Sequence, residues 1–195
     1  MRMSAARLAG AAALAIGLTG VAWGQEIQER KENQQDRIAQ GVKSGQLTAG
    51  ETAKLESKET ALNKEEHSMR QLDNGKLTAQ DRRTVNSQQN YLSKQIYRDK
   101  HNAAVQPTPK SEVGARRENQ QDRIAQGIKS GQLTAGETAK LERKEAGLNK
   151  EIRTDRQANG GTLTPQERKQ VNGQQNHLSK QIYNDKHNGR RQPRH

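Results

Sequence analysis

The sequence predicts an all-α protein of two tandem three-helix modules, with long antiparallel amphipathic helices in an elongated arrangement and a cleaved signal peptide in front. Three observations support this prediction. Residues 30–102 match residues 116–188 at a constant offset of 86, and 53 of the 73 aligned positions are identical. Four Gly-x-Leu-Thr elements punctuate the chain at regular places. Between them lie long runs of strong helix formers. The repeat is therefore the unit whose structure needs explaining.

The first 24 residues have the anatomy of a secretory signal peptide. Arg2 and Arg7 give a positive start, residues 8–21 are uncharged and apolar or small, and residues 22–24 end in small side chains. Cleavage after Gly24 is expected, with cleavage after Ala22 as the alternative. The apolar run is too short and too rich in Gly and Ala for a good spanning helix. We therefore predict a periplasmic or secreted protein with no transmembrane anchor in the mature chain.

The composition places the chain close to the border of disorder. Hydrophobic residues make up 29% and aromatic residues 2%, and Cys is absent. The lack of Cys excludes disulfides, thiolate metal sites and a lipid-modified N-terminal Cys. With so little apolar surface to offset chain entropy, folding depends on the order of the residues rather than on their overall hydrophobicity.

Each Gly-x-Leu-Thr element predicts a helix stop, a tight turn and a helix start. The Thr is expected to cap the next helix, and the acid three residues later completes a capping box. The Gly is expected to end the previous helix in the left-handed conformation. The predicted caps and acids are Thr48 with Glu51, Thr78 with Asp81, Thr134 with Glu137 and Thr164 with Glu167, and the helix-stop glycines are Gly45, Gly75, Gly131 and Gly161.

These turns divide each copy into three helices. In the first copy they are expected over residues 25–43, 48–72 and 78–102, with counterparts 86 residues later. Short turns favour antiparallel neighbours. The apolar seams are narrow and interrupted by polar residues, which favours an elongated shape or self-association into a homo-oligomer. The seam residues are Ile38, Ala39 and Val42 in the first helix; Thr52, Leu55, Glu59, Leu62, Glu66 and Met69 in the second; and Val85, Gln89, Leu92 and Ile96 in the third.

The domain organisation follows from the repeat. Module 1 is expected over residues 25–102 and module 2 over residues 116–189. Residues 103–115 contain Pro107-Thr108-Pro109, which predicts an extended linker. Residues 190–195 form a basic tail. Two similar modules on a semi-rigid linker could bind one ligand bivalently.

Charge indicates the kind of partner. The chain carries +12, and removal of the predicted signal leaves 32 basic against 22 acidic residues, or +10. Such an excess favours anionic partners. Acidic and basic residues are interleaved, however, as on a solvated helix surface. Nucleic acid is not favoured, because a concentrated basic stripe and stacking aromatics are missing. Anionic envelope polymers or lipid head groups fit the charge at least as well.

Calcium binding is one alternative that the turns raise. Residues 74–78 followed by Asp81 look like the second half of an EF-hand loop, with Gly at the sharp turn and an acid at the closing position. The position of the first carboxylate ligand is occupied by an uncharged or cationic residue in each turn, and a cation there opposes calcium. These residues are Gln40, Arg70, Gln126 and Arg156. The pattern fits a degenerate helix-loop-helix with weak or no calcium binding.

The sequence does not favour an enzyme. Tyr97 and His101, repeated as Tyr183 and His187, share a helix face at a spacing of four residues. A hydrolytic or metal site needs a further nucleophile or ligand that converges on the His, and neither copy supplies an evident one. We expect no catalytic residues, no metal ligands and no cofactor.

A family resemblance completes the interpretation. The predicted signal peptide, the basic helical chain without Cys and the repeated Leu-Thr-x-x-acid helix starts resemble small periplasmic stress chaperones and sensors of the Spy/CpxP type, whose helices begin with Leu-Thr-x-x-Gln. The matching pairs are Leu47-Thr48, Leu77-Thr78, Leu133-Thr134 and Leu163-Thr164, and an acid replaces the Gln in all four. The resemblance implies a cationic helical surface that holds unfolded protein clients or senses envelope stress.

Three functional hypotheses follow. The first is an exported, non-enzymatic helical binding protein of the cell envelope, chaperone-like or stress-protective. The second is a degenerate EF-hand-like protein. The third is a binder of anionic polymers, namely envelope polysaccharide, lipid head groups or nucleic acid.

Overall fold

The protein is all-helical, as predicted. The computed structural model describes residues 19–106 and 111–192, and the side chains of residues 25–106 and 111–192. These residues form six α-helices and no strand. The helices are α1 Thr19–Lys43, α2 Ala49–Leu72, α3 Ala79–Lys100, α4 Glu112–Lys129, α5 Ala135–Ala158 and α6 Pro165–His187.

Helix starts are fixed by side-chain hydrogen bonds. At α2, Thr48 Oγ1 accepts from the Glu51 amide at 3.3 Å, and a Glu51 carboxylate oxygen accepts from the Thr48 amide at 2.9 Å. The same reciprocal pair is present at the starts of α3, α5 and α6. Each capping box thus gives a partner to two backbone amides at the helix start that have none within the helix, those of the cap residue and of the third helical residue. The caps are Thr78 with Asp81, Thr134 with Glu137 and Thr164 with Glu167.

Helix ends turn through glycines with positive φ. The values are 71° at Gly45, 83° at Gly75, 68° at Gly131 and 97° at Gly161. A side chain would strain the backbone in this region, whereas glycine enters it without cost. In the turns at Gly45 and Gly131, the next Leu amide bonds back across the turn, with Leu47 N to Gly41 O and Leu133 N to Gly127 O both at 3.0 Å.

Two sequence-based boundaries differ from the structure. Residues 112–115, assigned to the linker, belong to α4, in agreement with the helix expected over residues 111–129. Ser111 Oγ accepts from the Gly114 amide at 3.3 Å, and Val113 is buried. Helix α1 begins within the predicted signal peptide, at Thr19. Residues 1–18, the Pro107–Pro109 segment and the last three residues of the basic tail lie outside the described part of the chain.

The hydrophobic core is shared by the two copies. The predicted seam residues are buried, with Met69 only partly so. One central cluster takes seven residues from each copy, and a smaller cluster lies at each end. The central cluster contains Ile38, Ala39, Val42, Leu47, Leu55, Leu92 and Ile96 from the first copy, and Ile124, Ala125, Ile128, Leu133, Leu141, Leu178 and Ile182 from the second.

Contacts between the copies join the first and second helices of one copy to their counterparts in the other. Helix α2 packs along α5, and α1 packs along α4. The N-terminus of α2 lies beside the second half of α5, and the N-terminus of α5 lies beside the second half of α2. This reciprocity makes α2 and α5 antiparallel and relates the two copies by an approximate internal two-fold axis. The arrangement leaves two related clefts, one at each end of the α2–α5 pair.

Candidate anion-binding cleft

The larger cleft lies between the start of α2 and the second half of α5. We call it the arginine cleft and define it by Arg117, Lys150, Arg153 and Arg156. Its volume is about 800 Å³, which is within the range of small-molecule and cofactor sites. Four of its lining side chains are cationic, and none of the described lining residues is acidic.

The cations come from two helices of the second copy. Lys150, Arg153 and Arg156 follow one another at spacings of three residues on α5, so they lie on one side of that helix. Arg117 comes from α4. Burial lowers the pKa of the Arg117 guanidinium and the nearby Arg156 charge lowers it further, whereas Glu145 and Glu118 raise it. Arg156 Nη2 also donates to Ser111 Oγ at 3.2 Å. The α5 cations therefore concentrate positive charge along one wall.

The opposite wall adds the N-terminus of a helix. Thr48, Ala49 and Gly50 begin α2 there, and Gln106 lies beside them. The Gln106 amide donates to Gly45 O at 2.9 Å, while its side-chain Nε2 is buried without a hydrogen-bond partner. The Glu51 carboxylate of the capping box offsets the positive end of the α2 dipole, so the positive charge of the cleft comes from its four cationic side chains.

The smaller cleft is the two-fold counterpart, with a volume of about 530 Å³. We call it the glutamate cleft and define it by Lys31, Glu66 and Arg70. Glu66 forms an ion pair with Arg70, with 2.9 Å between Arg70 Nη2 and Glu66 Oε1, and a second ion pair with Lys31. Burial alone raises the pKa of the Glu66 carboxyl, but the hydrogen bonds and charges of Lys31 and Arg70 bring it below its ordinary value. Here the one carboxylate offsets part of the charge of the three lining cations, Lys31, Lys64 and Arg70.

The two clefts differ because the copies diverge at this place. Residues 30–59 differ from their counterparts at three of thirty positions, but residues 60–69 differ from residues 146–155 at six of ten. Among the lining positions, Glu66 is replaced by Ile152 and His67 by Arg153. Analysis of the sequence alone missed this site. The uneven divergence between the copies was the available signal.

Two buried carboxyls lie close to the clefts. Burial raises the pKa of Glu145 to about 7, while the charge of Arg117 lowers it. Its counterpart Glu59 likewise has a pKa raised to about 7 by burial, with Lys31 lowering it and Glu66 raising it. Each cleft thus has one such carboxyl nearby, and the charges of the two clefts differ through the replacement of Glu66 by Ile152 and of His67 by Arg153.

The residues predicted as caps are distributed around this arrangement. Thr48 lines the arginine cleft, as does the helix-stop Gly161, and Thr134 lines the glutamate cleft. The Thr78 and Thr164 caps begin α3 and α6, which do not line either cleft. Glu137 Oε1 accepts from Asn188 Nδ2 at 2.7 Å, and Glu51 Oε1 accepts from Asn102 Nδ2 at 2.7 Å. These capping acids therefore also fasten the end of the third helix of each copy.

The structure brings together other residues that the sequence suggested for chemistry. Tyr97 stacks on His101 and Tyr183 on His187, each with ring centroids 4.2 Å apart. His101 Nδ1 lies 2.7 Å from Tyr97 O, and both tyrosines are more than half exposed.

Within the described residues, no group of three or more His, Cys, Asp or Glu is placed to hold a metal ion. Arg70 and Arg156, which occupy a ligand position of the calcium-loop pattern, lie in the two clefts instead.

The fold and the cleft define a class rather than a family: an all-helical protein with an internal two-fold arrangement and a cationic cleft between its halves. Comparison with protein families, curated proteins and solved structures finds no match to this chain. No helix in the described ranges is both long enough and apolar enough to cross a membrane. Function must therefore be argued from the cleft itself.

Proposed function

We propose that this protein is an exported, non-enzymatic binding protein of the cell envelope, built from two homologous helical modules, and that it binds an anionic polymer in the arginine cleft. The observation that carries the proposal is the lining of that cleft. Four cationic side chains and one helix N-terminus face it, and its described lining contains no acid.

Electrostatics favour this cleft over the remainder of the surface. At two other places on the surface a basic residue pairs with an acid on the same helix, Arg30 with Glu26 at 3.1 Å and Arg116 with Glu112 at 3.4 Å. Such exposed pairs cancel most of their own field. The groove lined by Arg37, Lys43, Arg123 and Lys129 also contains two acids, Asp36 and Asp122. A concave site lined by one sign of charge instead focuses the potential and raises the local concentration of an anion. The open cleft also suits a chain that enters and leaves it.

A chaperone-like role receives less support from the surface. Holding unfolded clients requires contiguous apolar surface among the charges. The large hydrophobic side chains that the structure shows exposed are isolated: one on α2, two on α3, one after α3 and one on α6. They are Leu72, Tyr91, Tyr97, Val105 and Tyr183.

The test is titration calorimetry of the mature chain, residues 25–195, with two probes: trigalacturonate, a carboxylate sugar, and tripolyphosphate. Wild-type protein should bind at least one probe, with an affinity that falls as salt rises. The K150E/R153E variant should bind it roughly tenfold more weakly or worse, which corresponds to about 1.4 kcal/mol or more. Both side chains are exposed, so the fold should be retained.

The matched control is K94E/K180E. These lysines are also exposed, lie on α3 and α6 away from the cleft, and produce the same change in net charge. The control should bind as the wild type does, apart from a small uniform loss. Equal weakening in both variants would mean that net charge, not the cleft, attracts the anion. Binding of neither probe by the wild type would reject the proposal.

A further inference from the structure

A short segment after the third helix fastens each copy to itself. In the first copy, Asn102 Nδ2 donates to Glu51 Oε1 at 2.7 Å, and the Gln106 amide donates to Gly45 O at 2.9 Å. The second copy repeats both bonds at the same distances, through Asn188 with Glu137 and Gln192 with Gly131. Since both copies have this segment, it belongs to the fold of a single copy and not to the junction between the copies.

The junction between the copies is short. Residues 107–110 lead from Gln106, the last residue of this segment in the first copy, to Ser111, the cap of α4. Within the described residues, helices of different copies contact each other as α2 with α5 and α1 with α4. An exchange of copies between two molecules therefore changes the backbone only at the junction and leaves the contacts inside each copy as they are.

A second molecule of the same chain offers each copy the surface that covers it within one molecule. The central cluster takes seven residues from each copy, so it is complete wherever one first copy meets one second copy. Because the two molecules have one sequence, the same residues would meet in the same arrangement. The shared core therefore does not distinguish the second copy of the same chain from that of a neighbouring molecule.

We propose that this chain forms a domain-swapped dimer, in which the first copy of each molecule packs against the second copy of the other. This self-association goes beyond the proposed function and does not depend on anion binding. The monomer and the dimer bury the same core, so the protein concentration decides between them. A short linker gives an effective concentration in the millimolar range, so the dimer should become abundant as the protein concentration approaches about 1 mM.

The dimer would assemble each arginine cleft from two molecules. The α2 wall would come from one molecule and the cationic α5 wall from the other. The junction begins and ends at this cleft, because Gln106 lines it and Ser111 Oγ lies 3.2 Å from Arg156 Nη2. Four residues with their flanking bonds span at most about 18 Å. The two clefts of a swapped dimer would therefore lie next to each other, and their like charges would repel at low salt.

The experiment places one Cys in each copy of a chain that has no Cys of its own. A Cβ added at Gly136 in α5 would lie 3.7 Å from Thr60 Oγ1 in α2, which is close enough for T60C/G136C to form a disulfide between the copies. In the monomer this disulfide lies within one chain, whereas in the swapped dimer two such disulfides join two chains. Non-reducing electrophoresis distinguishes the two products.

The chain of residues 25–195 that carries T60C/G136C is unfolded in urea and refolded under reducing conditions before it is oxidised. The buffer contains about 0.5 M NaCl, which screens the repulsion between the clefts. Covalent dimer should be at least about tenfold more abundant after refolding at about 1 mM than at about 10 µM. T60C alone is the control and measures the dimer that random contact between thiols produces. Sedimentation velocity of the wild type, refolded in the same way, should show the same dependence on concentration.

Several results would overturn the swapped dimer. One is a wild type that stays monomeric after refolding at about 1 mM. Another is a wild-type dimer whose T60C/G136C counterpart cross-links only within single chains, because that dimer would form through a different surface. A double variant that gives no more covalent dimer than T60C does would have the same meaning.

If T60C/G136C does not fold, the wild type alone decides. A swapped dimer separates only when the shared core opens, so after dilution it should revert to monomer at the slow rate of unfolding. A dimer that dissociates at once on dilution would contradict the proposal. None of these results requires an anion, so they stand or fall independently of the calorimetric test of the arginine cleft.

Discussion

Glutamate side chains lie in the interior where α2 meets α5, and their ionisation opposes folding. Glu56 and Glu142, one from each copy, are fully buried and lie near enough for the charge of Glu142 to raise the pKa of Glu56. Each has one oxygen that accepts from a glutamine, Gln35 or Gln121, at 3.1 Å. The other oxygen has no hydrogen-bond partner. A protonated carboxyl supplies a donor among these acceptors, whereas a carboxylate adds only a further acceptor.

The E142Q variant tests this account. Burial, the largest effect, raises the pKa of Glu142 to about 8; Gln121 lowers it and Glu145 raises it. Because the pKa is higher in the folded state than the unfolded value near 4.5, the folded state binds more protons between these values. Stability is then fully present below about pH 4.5 and is lost as the pH rises through about 8.

Gln cannot ionise, so E142Q should lose less stability with rising pH. We expect its free energy of unfolding to exceed that of the wild type by on the order of 2 kcal/mol at pH 8.5 and to be similar at pH 4.5. Urea unfolding at the two pH values measures this. The exposed E118Q change on α4 is the control and should show no such pH-dependent gain. A uniform loss of stability for E142Q at both values would mean that the carboxylate is required in its charged form.

At the scale of helices, the ends of α1 and α4 pack closely against the turns that follow them. A Cβ added at Gly127 would lie 2.6 Å from Leu133 Cδ1, and the same distance separates a Cβ at Gly41 from Leu47 Cδ1. Both leucines are fully buried in the central cluster. These two helix-interior glycines are therefore required by packing and not by backbone conformation.

The G127A variant should be less stable than the wild type by about 1–3 kcal/mol, because the added methyl group displaces Leu133 from a packed core. The matched control is G173A in α6, where nothing lies within 4 Å of an added Cβ. That change should stabilise the protein by about 0.5–1 kcal/mol, since Ala is the better helix former. Thermal unfolding of both variants measures the contrast. Equal effects of the two changes would argue against the close packing.

Helix positions were predictable from sequence because their signals are local. A Thr cap, its acid at the third position and the preceding Gly act within seven residues, so the starts of α2, α3, α5 and α6 could be placed without tertiary structure. The expected counterpart of the first helix, residues 111–129, agrees with α4, whereas the module boundary at residue 116 was set too late. Ser111 caps α4 without the Gly-x-Leu-Thr context, so no local signal marked that boundary. The arginine cleft could not be predicted this way. Its walls come from both copies, which contact each other through packing between residues far apart in the sequence.

For the whole molecule, the sequence predicted which residues are buried but not what they face. The seam of α2 was expected to pack within its own copy, whereas Leu55 shares a core with Leu141. A seam identifies the apolar face of a helix but does not identify the helix against which that face packs. The two-fold arrangement packs the seams of α1 and α2 against their own counterparts in α4 and α5. A comparison of the two copies in sequence does not reveal this pairing.

The shared core leads to a last prediction, for residues 111–195 expressed alone. In the full chain, the faces of α4 and α5 that carry Ile124 and Leu141 are covered by the first copy. A lone second copy would expose them to water, which is costly for a contiguous apolar surface. Residues 116–145 differ from residues 30–59 at only three of thirty positions. A second molecule of the fragment can therefore take the place of the first copy in this contact.

We expect this fragment to form a two-fold symmetric dimer, with α5 antiparallel to its symmetry mate. Sedimentation equilibrium should give twice the fragment mass, and dilution should cause dissociation together with unfolding. Such a dimer would contain two arginine clefts and no glutamate cleft, so each dimer should offer two copies of the proposed anion site where the full chain has one. A folded monomer would contradict the shared core. Val105 and Gln106, which follow α3, line the cleft in the full chain and are absent from the fragment. A dimer that binds no anion would instead show that the cleft needs these two residues and that their counterparts in the second copy cannot replace them.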